Sequence, residues 1–128
     1  MVSSAQATAT QKQVAAYTAS KGALVALTRS MAVDEADYGV RVNSVSPGSV
    51  DTPMLRASAA SFSDGSEAGT PHVIDSWGAA HALGRVATIA EVGEVVSFMT
   101  SPRASFVTGT EVCVDGGLLA QIAVALPK

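Results

Sequence analysis

Tyr17 and Lys21, four positions apart, with a serine pair upstream at Ser3 and Ser4, carry the most reactive side-chain chemistry in this sequence. A phenol loses its proton near pH ~10 and is a poor proton-transfer group at neutral pH. An ammonium about 4 Å away, at an effective dielectric near 20, favours the phenolate by up to ~4 kcal/mol, or roughly three pKa units. A phenol so placed works as a general acid/base near neutrality. A serine hydroxyl such as that of Ser4 could hold a substrate oxygen beside it. The spacing puts both side chains on one face only if the segment is helical. Taken alone, such a pair is more often a chance pair on a helix than a catalytic one. Other candidates carry less. Cys113 reads as a small core residue, His72 and His81 as surface or loop filler, and Trp77 as a pocket wall or a loop anchor.

The elements that must position these groups follow from patterning. Residues 11–36 contain no Pro and one Gly, which predicts a long helix. Val14, Ala16, Ala23, Leu24, Val25, Leu27, Met31, Ala32 and Val33 place apolar groups on nearly every side of it, so it should be buried on more than one face. Gly39 then supplies the stop. Residues 40–45 read as a β-branched strand ended by Pro47-Gly48. Residues 58–78, rich in Ser, Ala, Gly and Asp, read as a long loop, either a lid or a disordered stretch. A second helix is expected over 90–99 and a last strand over 111–114, ending in Asp115-Gly116-Gly117. The first ten residues read as a strand stub followed by loop. Strand, helix, strand, helix, strand predicts an α/β fold with a parallel sheet and right-handed crossovers.

Composition narrows the class. The 128 residues suffice for one domain. Hydrophobic residues at 48% and charged ones at 15% argue against disorder, and aromatics at 5% leave the core to Ala, Val, Leu and Met. A net charge of -3, with eight scattered Lys and Arg, leaves no basic field for nucleic acid. No apolar run reaches the ~18 residues of a membrane-spanning helix, and the first residues do not read as a signal peptide. One cysteine cannot form an internal disulfide or a metal cluster, so no metal site is expected and a reducing, cytoplasmic compartment fits.

Set in sequence context, the reactive residues gain specificity. Ser4 is followed thirteen residues later by Tyr17-Thr18-Ala19-Ser20-Lys21. Downstream come Arg41-Val42-Asn43-Ser44-Val45-Ser46-Pro47-Gly48 and Asp51-Thr52-Pro53-Met54. Leu83-Gly84-Arg85, Glu91-Val92, Ala104-Ser105-Phe106-Val107-Thr108-Gly109 and Val114-Asp115-Gly116-Gly117 complete the series. In order and spacing this resembles the short-chain dehydrogenase/reductase family across nearly the whole chain.

The resemblance implies the C-terminal half of a Rossmann-like parallel sheet with flanking helices. Residues 1–128 would form a single domain, with a variable substrate-loop segment at about 55–82. It implies an oxidoreductase using NAD or NADP on an alcohol or carbonyl. Tyr17 would exchange a proton with the reacting oxygen, Lys21 would tune it and bind the nicotinamide ribose, and Ser4 would orient the oxygen. Ser3 is the less well spaced alternative to Ser4. Pro47, Gly48 and Thr52 would contact the nicotinamide end. The family's long helix packs on its copy in a neighbouring subunit, so a homo-oligomer is expected, with Ala19, Ala23 and Ala26 allowing close approach. The chain has no glycine-rich strand-to-helix fingerprint, so dinucleotide binding and turnover by it alone are expected to be weak or absent. Two other readings stand beside this one. The chain could be an inactive oligomerisation or binding module, or a hydrolase with Ser4 as nucleophile and Tyr17 and Lys21 as base.

Overall fold

The structure is a computed structural model, and it describes residues 1–122. Short segments after each long connection form two parallel strands, β1 (Ser44–Pro47) and β2 (Glu111–Val114), with Val45 opposite Val112. Val2 adds a single parallel bridge to Val45 on the other side of β1. The bridge is held by the Ser3 N–H on the Val45 carbonyl and the Val45 N–H on that of Met1. The stub is therefore present, and β1 lies centrally with Ser44, Val45 and Ser46 buried.

β1 begins four residues later than patterning predicts. The backbone at 40–43 lies beside a loop, not a strand. The Val42 N–H donates to the Thr108 hydroxyl, and the Arg41 guanidinium donates to the carbonyls of Met99, Ser101 and Val107 at 3.0–3.1 Å. Asn43 likewise donates to the Val107 carbonyl. The ladder starts only where Thr110 and Glu111 come alongside Ser44.

α1 (Ala15–Asp34) is the long helix, starting later than expected because the chain is still turning before it. Gln13 takes a left-handed φ of 68°, and Val14 offers no side-chain cap. A short 3-10 turn (Ala36–Tyr38) follows, and Gly39 at φ 71° makes the stop. Of α1, Thr28 and Ala32 are buried, while Leu27 is 46% and Val33 77% exposed. The expectation of a helix covered on several faces is not met among the described residues. Two short strands and a bridge are wide enough to cover one stripe of it.

Residues 58–78 are not a loop. They fall largely in α2 (Pro53–Ser61) and α3 (Gly69–Gly78), which pack together, with the Phe62 and Trp77 rings edge-on at 6.2 Å. The start of α2 carries a local signal: the Thr52 hydroxyl accepts from the Leu55 N–H, and Pro53 sits where no donor is needed. α4 (Ile89–Thr100) opens with a reciprocal cap between Thr88 and Glu91. Among the described residues no helix is long and apolar enough to cross a membrane.

Candidate active site

In a parallel sheet, ligands bind beyond the carboxyl ends of the strands. Ser3-Ser4 follow the stub at that edge, Pro47-Gly48 end β1, and Asp115-Gly116-Gly117 end β2. α1 reaches the same edge through two hydrogen bonds. The Ser3 hydroxyl donates to the Lys21 carbonyl at 2.8 Å, and Lys21 Nζ donates to the Val2 carbonyl at 3.2 Å. Ser3 is thus engaged in holding α1.

Ser4 is buried and caps a short 3-10 turn (Ala5–Ala7) that packs on α1. Its hydroxyl accepts from the Gln6 N–H at 3.2 Å and keeps its own proton free to donate. Tyr17 is 41% exposed, and the Lys21 ammonium lies over its ring, 5.4 Å from the centroid. The ammonium has three donors, of which the described contacts use one on Val2. Pair and serine therefore share one corner of the molecule, with the pair open to solvent.

Beyond β1, the Gly48 N–H donates to the Val114 carbonyl at 3.1 Å, which keeps the turn beside β2. Thr52 caps α2 as described, and Asp51 pairs with Arg56 at 2.6 Å. The second Asp51 oxygen, Oδ1, is buried without a partner among the described residues, as is Gln6 Oε1 two residues after Ser4. Sequence gives Gln6 no role and Asp51 only a place in a motif; their polarity is ordinary there and only burial makes it costly.

Three lesser expectations need correction. His81 is not surface filler: it is 4% exposed, with Nδ1 donating to the Trp77 carbonyl at 3.0 Å and Nε2 accepting from the Ser49 N–H at 3.1 Å. Trp77 lies four residues upstream on α3, a local spacing, whereas Ser49 is 32 residues away and leaves no sequence signal. Cys113 is exposed on β2 and not a core residue. Partial burial, then the charges of Glu111 and Asp115, push its thiol pKa up. Trp77 anchors α3 on α2 from within a helix, and His72 is exposed on α3.

Residues 1–119 match a family model described as Enoyl-(Acyl carrier protein) reductase. The chain belongs to the short-chain dehydrogenase/reductase family. A curated L-fucose dehydrogenase of Bos taurus is 43% identical over 107 residues, covering 84% of this chain and 37% of that protein. A short-chain dehydrogenase of Neurospora crassa is 42% identical over 101 residues, 79% of this chain and 34% of that protein. Among solved structures, the ligand-free aldohexose dehydrogenase of Thermoplasma acidophilum superposes with a TM-score of 0.94 at 37% identity. That match covers 99% of this chain and 49% of the neighbour. The chain thus spans about a third of the length of these curated relatives. Its parallel strands and flanking helices are those of the short-chain dehydrogenase/reductase Rossmann fold.

Proposed function

We propose that this chain carries the proton-transfer site of an NAD(P)-dependent oxidoreductase acting on an alcohol or carbonyl. The observation that carries the reading is the Tyr17–Lys21 pair on α1, tied to the Ser4 segment by the Ser3–Lys21 and Lys21–Val2 hydrogen bonds. The residues present suit the nicotinamide end of the cofactor: Lys21 keeps ammonium donors for ribose hydroxyls, and the Thr52 hydroxyl, accepting from Leu55, keeps a proton to donate. Pro47 and Gly48 shape the turn beside them. When bound, the nicotinamide supplies or accepts the hydride. Tyr17 gives a proton to the carbonyl oxygen or takes it from the alcohol, Ser4 donates to that oxygen and fixes it, and Lys21 holds positive charge against the phenol ring. The names of the Bos taurus and Thermoplasma relatives point towards a sugar hydroxyl within the alcohol class. The single cysteine supports a reducing, cytoplasmic setting for this chemistry.

An active assembly needs the pyrophosphate held as well, and that is the work of a glycine-rich turn. The test is therefore made on the chain alone and on the chain fused to the part of the Thermoplasma relative that lies outside the 49% it matches. Calorimetry with NADH and NADPH should show no saturation at micromolar levels for the chain alone. In the fusion, aldohexose oxidation should fall by about 100-fold or more in Tyr17→Phe, with circular dichroism unchanged. Retained turnover would show that the proton-transfer role was misassigned.

A module that binds or oligomerises without turnover is the second reading, favoured by the exposed apolar residues of α1. Fusion turnover separates the two. The hydrolase reading has least support, because the described bonds of Ser4 and Lys21 run to Gln6 and Val2 and not to one another.

A further inference from the structure

His81 is a buried imidazole that the proton-transfer reading leaves unused. We propose that it is a positioning residue: as a neutral ring it locks the turn after β1 against the end of α3, and so holds residues 49–52 in the shape that receives the nicotinamide. The cofactor part rests on the oxidoreductase reading; the lock does not.

Its protonation pattern follows from its partners. The Ser49 N–H can only donate, so Nε2 must present a lone pair to it at 3.1 Å. The Trp77 carbonyl can only accept, so Nδ1 carries the proton, 3.0 Å away. The ring is 4% exposed, so neither group has water as a substitute. The rest of the turn is anchored elsewhere: the Ser49 carbonyl accepts from the Ala87 N–H at 2.9 Å, and the Asp51 N–H donates to the Ala87 carbonyl at 2.8 Å. Neither of these bonds uses the Ser49 N–H, and His81 accepts it.

Gly48 is a second, independent observation. Its φ is not in the left-handed region, so backbone freedom does not explain the glycine. A Cβ there would lie 2.7 Å from His81 Nε2 and 3.1 Å from the Asp115 Cα. The missing side chain makes room for the imidazole. Two residues on, the Leu83 N–H donates to the Gly116 carbonyl at 3.0 Å. The 81–83 segment is thereby wedged between the turns that end β1 and β2, and it links α3 to both.

The test has two arms on the full chain. Long-range 1H–15N correlation should find the His81 proton on Nδ1; a proton on Nε2 overturns the lock. In a double-mutant cycle, Gly48→Ala should lower the denaturant midpoint of the wild-type chain more than that of His81→Ala, and equal shifts overturn it too. The second arm titrates reduced nicotinamide mononucleotide up to millimolar levels, above the range in which the dinucleotides should fail to saturate the chain alone, and reads the Ser49 and Thr52 amides. His81→Phe fills the space of the ring without either bond and should weaken binding about five- to tenfold. His81→Gln can still accept from the Ser49 N–H through its amide oxygen, and should restore part of the affinity. Equal binding by wild type and His81→Phe overturns the positioning role. No binding by the wild type overturns the oxidoreductase reading, while tautomer and cycle still decide the lock.

Discussion

Backbone carbonyls, more than other side chains, hold the reactive residues of this corner. Lys21 reaches Val2, Ser3 reaches Lys21, and His81 reaches Trp77. Such bonds survive substitution of neighbouring side chains. Cys113 shows the opposite dependence, on side-chain charge. Its thiol pKa is raised by burial first and by Glu111 and Asp115 next, so less thiolate is present near neutrality. Iodoacetamide at pH 8 should therefore alkylate Cys113 more slowly than a cysteine in an unstructured peptide, although the residue is exposed. Glu111→Gln should speed the reaction. A wild-type rate equal to that of the peptide would contradict the charge argument.

Among the elements, α4 has the most completely satisfied start. Thr88 and Glu91 cap one another's backbone N–H groups, and Arg85 grips the Glu91 carboxylate with two donors, one at 2.6 Å and one at 3.0 Å. Arg85 first, then the Thr88 backbone and hydroxyl, lower the Glu91 pKa from 4.5 to about 2. A pKa depressed by folding contributes stability above the unfolded value, lost as pH falls through the folded one. The Thr88 amide should stay protected down to pH 4.5 and lose protection as pH approaches about 2. In Arg85→Ala the midpoint should move up towards 4.5, read by amide exchange; an unmoved midpoint would assign the shift to the cap alone. The pair is exposed, so its effect belongs to the helix end and not to global stability. Thr88→Ala should cost about 1 kcal/mol in chemical unfolding.

At the scale of the molecule, the buried hydrophobic set among the described residues is small: Ala5, Ala32, Val45, Ala59, Met99 and Ala104. Four of these are alanines, while Leu27, Val33, Ile89 and Phe98 on α1 and α4 lie open. Apolar helix faces of that extent gain by burial against another surface. We therefore expect a symmetric homo-oligomer, a dimer or tetramer, built on α1 with Ala19, Ala23 and Ala26 at the contact. Its melting temperature should rise with protein concentration. Light scattering that finds a folded monomer at micromolar concentration, melting independently of concentration, would refute this.

The sequence by itself determined what closes over a few residues. A helix satisfies its backbone within four positions, so α1 with Tyr17 and Lys21 on one face, the stop at Gly39, and the helix α4 were legible from spacing and residue type. The span of β2 was legible too, from β-branched residues before Asp115-Gly116-Gly117. Residues 58–78 read as a loop because their small, polar residues pattern weakly, and the helices there gain order by packing α2 on α3. Only the tertiary structure decided where β1 starts, since Ser44 needs Thr110 beside it. The same holds for His81, whose second partner, Ser49, lies 32 residues away. A strand ladder, a buried ring and the covered stripe of a helix each need a surface from elsewhere in the chain, and no local spacing encodes which one arrives.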